Sequence, residues 1–141
     1  MSSIKKTSTV IIATIIVVGF VFGVAKQFEV DESSILDQLE FDAVYLKDER
    51  RVQISFEDKS NNTKSAILEI LGMDVTFHQV YLFDDKSGFV ENIHLEQIPK
   101  YGWKTTPVTL EIQHSEFGKI GLKTEIHEPN HPNPKIIIEQ K

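Results

Sequence analysis

The stretch HEPNH, His127 to His131, places two imidazoles and a carboxylate at the spacing of H-E-x-x-H, the zinc-binding and general-base signature of metalloproteases. That chemistry needs both histidines on one face of a continuous helix, one turn apart, with the glutamate beside them. Pro129 occupies the middle of the stretch, and Pro132 and Pro134 follow. A proline inside a helix removes a hydrogen bond and clashes with the preceding turn, at a cost of about 3 kcal/mol. The preceding residues KIGLKTEI alternate as a strand. The stretch therefore reads as a strand end entering an extended, proline-stiffened loop, and its likeness to a zincin is a coincidence of spelling.

A second arrangement depends on register. Val75–Phe83 and Phe89–Ile98 flank the loop DDKSG and read as a hairpin. If Phe83 faces Phe89, counting back sets His78 opposite His94, close enough to share a cation, with Glu96 on the same face. The competing reading makes both histidines solvent-side residues, with Phe77, Tyr81, Phe83, Phe89, Ile93 and Leu95 forming the core face. A slip of one residue destroys the pairing. Asp84 and Asp85 lack the alternating oxygen ligands of a calcium loop and read as a solvated turn.

Tyr101 and Trp103, in PKYGWKTTP, are neighbouring large aromatics in a loop. They suit either a partner-binding tip or a plug closing one end of a small core, and the plug is favoured. Asn61-Asn62-Thr63 fits the N-glycosylation pattern in a turn, which makes Asn61 a candidate acceptor. No G-x-S-x-G elbow occurs, and no Ser–His–Asp arrangement suggests itself.

The elements that would carry these residues are mostly strands. RVQISF (Arg51–Phe56) alternates apolar and polar side chains. SAILEIL (Ser65–Leu71) suits a short buried strand or a helix stopped by Gly72, and its neighbours favour the strand. VTLEIQH and KIGLKTEI form the clearest hairpin, around SEFG, and KIIIE closes the series. The expectation is an all-β sandwich of about seven strands. The late order of strand, Pro- and Gly-containing bend, strand, tight turn and strand resembles immunoglobulin-like and fibronectin-like modules, as architecture alone. Residues 27–40 read as a linker with a short helical turn that Ser34 would cap.

Ser8 to Ala25, STVIIATIIVVGFVFGVA, contains no charge. As a helix it would be about 27 Å long, near the hydrocarbon thickness of a bilayer. Lys5 and Lys6 precede it and acidic residues follow Lys26, so the positive-inside rule keeps the N-terminus in the cytoplasm. A retained signal anchor is favoured by length. A cleaved signal ending at Gly23-Val24-Ala25 is the alternative. The basic stretch before the apolar run also resembles archaeal and bacterial pilin leaders, although Thr7 stands where a small Gly or Ala processing site would be.

The chain has 141 residues and no cysteine, which excludes disulfides, thiolate metal sites and cysteine nucleophiles. Its formal net charge of −6 is uneven. Lys5, Lys6 and Lys26 are the only charged side chains in the first 28 residues, leaving 12 basic against 21 acidic groups beyond them. An acidic body repels phosphate backbones, which argues against nucleic acid. The organisation expected is a cytoplasmic segment 1–7, a membrane span 8–25, a linker 26–48 and an extracytoplasmic sandwich 49–141. The function expected is non-catalytic and needs no cofactor: a binding or structural module, or an accessory subunit of a cell-envelope complex. The alternatives are a metal-dependent hydrolase or metal carrier, using some of His78, His94, His114, His127 and His131, and a pilin-like filament subunit.

Overall fold

The computed structural model describes residues 30–73 and 76–141. The expected cytoplasmic segment 1–7 and membrane span 8–25 lie outside them. No helix among the described residues is long and apolar enough to cross a membrane.

Helix α1 (Glu32–Gln38) opens the described β-rich unit and sinks Ile35 completely. Ser34 lies within the helix rather than capping it. Strand β1 (Leu39–Leu46) follows without a break, which corrects the expected linker across 26–48. Leu39, Phe41, Ala43 and Tyr45 fall on its inner face and are at most 5% exposed. The compact unit accordingly begins at Glu32 and not at residue 49. Seven further strands complete it: β2 (Arg51–Asp58), β3 (Thr63–Ile70), β4 (Phe77–Leu82), β5 (Gly88–His94), β6 (Pro107–His114), β7 (Gly118–Glu125) and β8 (Ile137–Gln140).

These strands form two antiparallel sheets, ordered β1-β2-β5 and β4-β3-β6-β7-β8. The architecture is that of a β-sandwich, with β1 the strand missing from the expected set. The period-two pattern explains the packing. Val52, Ile54 and Phe56 point inward from the first sheet, and Leu68, Leu110 and Ile112 point inward from the second, all at most 2% exposed. Full burial of each such side chain stabilises the fold by about 1.5–3 kcal/mol.

The expected hairpin around DDKSG does not exist. β4 pairs with β3 and β5 pairs with β2, so the loop crosses between sheets. The facing pattern was nonetheless correct, since Phe83 and Leu95 are each 8% exposed. Strand alternation dictates which side of a strand is apolar, but it does not name the neighbouring strand. The β6–β7 hairpin forms as expected, with Ile112 opposite Ile120.

The two sides of the sandwich are sealed differently. On one side, Tyr45 N–H donates to the His127 carbonyl at 2.8 Å and His127 N–H donates to the Ala43 carbonyl at 3.1 Å. This short parallel bridge joins β1 to the residues after β7. On the other side the edge strands β4 and β5 meet through side chains. Tyr81 stacks on Phe89 with ring centroids 3.9 Å apart, and its hydroxyl donates to Glu91. Burial and that acidic partner push the Tyr81 phenol well above its ordinary value. Glu91 points inward from an edge strand, a placement that discourages edge-to-edge association.

Candidate functional site

The strand directions give the sandwich two ends with different chemistry. At the first end, β2 delivers Asp58 and β6 delivers His114, and both side chains are fully buried. One Asp58 oxygen accepts from Ser60 N–H at 2.8 Å and Ser60 Oγ–H at 2.6 Å. The other accepts from Asn62 N–H at 3.0 Å, Thr63 N–H at 2.8 Å and Thr63 Oγ1–H at 2.6 Å. One carboxylate therefore organises the whole β2–β3 loop, as aspartate side chains do in turns.

His114 does the same for the β6–β7 turn. Its Nδ1 accepts from Glu116 N–H and Phe117 N–H, both at 3.1 Å, while its ring stacks on Phe117. Nδ1 must then be unprotonated, which leaves the proton on Nε2, 3.3 Å from Asp58 Oδ2. Burial holds the His114 pKa below its ordinary value against the opposing charges of Asp58 and Glu116. Burial alone would raise the Asp58 pKa, but hydrogen bonds from Ser60 and Thr63, aided by His114, hold it below its ordinary value.

Ser60, His114 and Asp58 have the residue types of a nucleophilic triad, but they lack its order. In a triad the base faces serine through one ring nitrogen and the carboxylate through the other. Here Nε2 faces both Ser60 and Asp58, and Nδ1 is occupied by the turn. The arrangement fastens two loops together. The sequence contained a signal for it: D-x-S-x-x-T directly after a strand, and a histidine at an inward position of β6.

The opposite end carries a groove of about 690 Å³. One wall is the connection that leaves β5, from His94 to Tyr101, and the other is made by Gly72, Met73 and Thr105. Two features fix the walls. Gly72 has φ of +79°, and a Cβ built on it would lie 2.0 Å from the Thr105 carbonyl oxygen, so only glycine permits this approach. The loop also bonds to itself: Gly102 N–H donates to Pro99 O at 3.0 Å, Thr105 Oγ1–H to Gly102 O at 3.0 Å, and Thr106 N–H to Trp103 O at 3.0 Å.

Within this loop the two aromatics part company. Trp103 turns inward against Tyr45, with ring centroids 4.8 Å apart. Tyr101 stands 76% exposed, with Lys100 Nζ 5.5 Å from its ring centroid. The plug reading describes Trp103 and does not describe Tyr101.

The other candidates are dispersed. His78 lies opposite Glu69 on β3 and is bonded to it at 2.9 Å, whereas His94 lies opposite Arg51 on β2. The expected histidine pair is not formed, because β4 and β5 belong to different sheets. His94 and Glu96 do share the groove. His127 Nε2 lies 2.7 Å from Asp42, while His131 is exposed in the following non-helical loop. Among the described residues no three His, Asp or Glu side chains cluster tightly enough to hold a metal ion. Asp84 and Asp85 are exposed. Asn61 is exposed at a left-handed turn position, and the Thr63 hydroxyl of its sequon is buried on Asp58. No protein-family model matches the sequence, and neither a curated protein nor a solved structure matches it.

Proposed function

We propose that the protein is a single-span membrane protein displaying a small acidic sandwich outside the cytoplasmic membrane. Its role is non-catalytic: the sandwich binds a partner at the Tyr101 end, as a binding module or an accessory subunit of an envelope complex. The observation that carries the binding part is Tyr101, held 76% exposed on a loop whose backbone is already bonded in place. An exposed aromatic adds little to folding, whereas a rigid one loses little entropy on binding. The address rests on the uncharged run 8–25 and its basic N-terminal flank.

The strand order supports an immunoglobulin-like or fibronectin-like module. Lettered along the chain from A to G, β1-β2-β5 corresponds to A-B-E and β3-β6-β7 to C-F-G. The fourth strand sits beside C rather than E, and β8 is an addition at the G edge.

The absence of cysteine makes the test direct. Lys86→Cys and Ser3→Cys each provide a unique thiol in the full chain. In intact cells a membrane-impermeant maleimide should label Lys86→Cys and leave Ser3→Cys unmodified until lysis. Protection of Lys86→Cys until lysis would refute the proposed address.

A further inference from the structure

Resting on the reading of the Tyr101 end as a binding surface, we infer that its groove is a glycan site that takes neutral pyranosides. The apolar face of one sugar ring would lie on the Tyr101 ring. The groove volume of about 690 Å³ falls within the roughly 300–1,000 Å³ of small-ligand sites. The platform is preorganised, since Gly72 locks against Thr105 and Trp103 anchors the loop on Tyr45. Lys100 covers one face of the Tyr101 ring, and 76% exposure leaves the rest to solvent. The negative face of an aromatic ring attracts the weakly positive C–H bonds that line one side of a pyranose.

The remaining lining selects the ligand class. Glu96 accepts hydrogen bonds, Lys100 donates them, and Gln97 does both, a set suited to hydroxyl groups. The charges of Glu96 and Lys100 offset one another, and the other basic group among the described lining residues is the His94 imidazole, so the site lacks a pair of fixed cations for an anionic ligand. The acidic excess beyond residue 28, 21 groups against 12, works against acidic sugars as well. An extended peptide fits less well. Peptides that add to a sheet need a strand edge along the groove, and among the described residues His94 is the only strand residue in this lining.

Trp103, the only tryptophan in the chain, sits in the Tyr101 loop and reports on it. The full-length protein in a sugar-free detergent would be titrated with maltotriose, cellotriose, chitotriose and trigalacturonate. Tryptophan fluorescence and the backbone amide shifts of Gly102 and Thr105 would be followed together. At least one neutral trisaccharide should bind saturably, with trigalacturonate weaker by about tenfold or more. Tyr101→Ala should weaken the neutral sugar by at least about tenfold, the equivalent of about 1.4 kcal/mol. Tyr101→Phe, which keeps the ring face, should bind within a few-fold of the parent chain.

Silence from all three neutral sugars in both readouts would overturn the inference. So would equal binding by Tyr101→Ala, or trigalacturonate binding as tightly as the neutral sugars. These outcomes are separate from the proposed function. A negative titration with Lys86→Cys labelled from outside removes the ligand class and leaves the display reading standing. A Lys86→Cys thiol protected until lysis removes the display reading whatever the sugars do.

Discussion

At one end of the sandwich a carboxylate and an imidazole are both withdrawn from water, and at the other a phenol ring stands 76% exposed. Both ends are rigid, but the means differ. The Asp58 end is held by side chains that reach back to backbone N–H groups. The Tyr101 end is held mainly by backbone geometry, a glycine with no room for a Cβ and a loop bonded to itself, with Trp103 packed on Tyr45. Side-chain clamping commits the Asp58 carboxylate and the His114 Nδ1 to the loops they hold, so neither is offered to a ligand. Backbone clamping leaves Glu96, Gln97, Lys100 and Tyr101 free to face outward. That difference supports placing the proposed site at the second end.

The comparison breaks most visibly if Asp58 is replaced. Asp58→Ala strands the Ser60, Asn62 and Thr63 donors and leaves His114 without its acidic neighbour. Loss of a buried, multiply bonded carboxylate should cost about 3–5 kcal/mol. Urea unfolding of the full-length protein reads this directly, and a loss below about 1 kcal/mol would mean the loop is not held by Asp58. The groove end has a smaller equivalent. Gly72→Ala forces a side chain into a left-handed backbone and against the Thr105 carbonyl, which should cost about 2 kcal/mol. It should also shift the Trp103 emission, because the displaced loop carries that ring.

How much of this could be read in advance differs between the ends for a physical reason. Strand faces were legible because alternation is local: Val52, Ile54 and Phe56 point inward as the pattern requires. β1 is less legible, although Leu39, Phe41, Ala43 and Tyr45 alternate perfectly. Glu40, Asp42 and Ala43 dilute its strand propensity, and it follows a helical turn. The His78–His94 pairing failed because it required knowing which strand is the neighbour, a non-local fact. The groove joins the connection after β3 to the connections after β5, over thirty residues of sequence apart at Gly72 and Thr105. No local pattern reports such a contact. The Asp58 loop is local, but Ser60-Asn61-Asn62 reads as an ordinary turn and hides the clamp.

Acid sharpens the contrast further. His114 is held below its ordinary value of 6.5 by burial, so the unfolded chain binds a proton in a range where the folded chain does not. Stability should fall as pH drops from about 6.5 toward the folded value of His114. Asp58 is held below its ordinary 3.8, so its contribution is complete above that value and is lost as pH falls through the lower folded value. Protonating Nδ1 would also turn an acceptor into a donor facing the Glu116 and Phe117 N–H groups. His114→Asn places an amide oxygen near the Nδ1 position and does not titrate. Its melting temperature should vary less between pH 7 and pH 5 than that of the parent chain, and an unchanged slope would acquit His114.

The smallest expected effect discriminates most sharply between the two aromatics of the groove loop. Trp103 packs on Tyr45, a residue only 4% exposed, so Trp103→Ala removes part of the core closure and should cost about 2 kcal/mol. Tyr101 is 76% exposed, with Lys100 Nζ 5.5 Å from its ring centroid, so Tyr101→Ala should change unfolding free energy by less than about 0.5 kcal/mol. If Tyr101→Ala proves as destabilising as Trp103→Ala, the ring is structural in solution and the case for a docking platform fails. If it is neutral, the chain keeps a large aromatic in water on a rigid loop without any return in stability. That outcome would support the proposed partner-binding role of the Tyr101 ring.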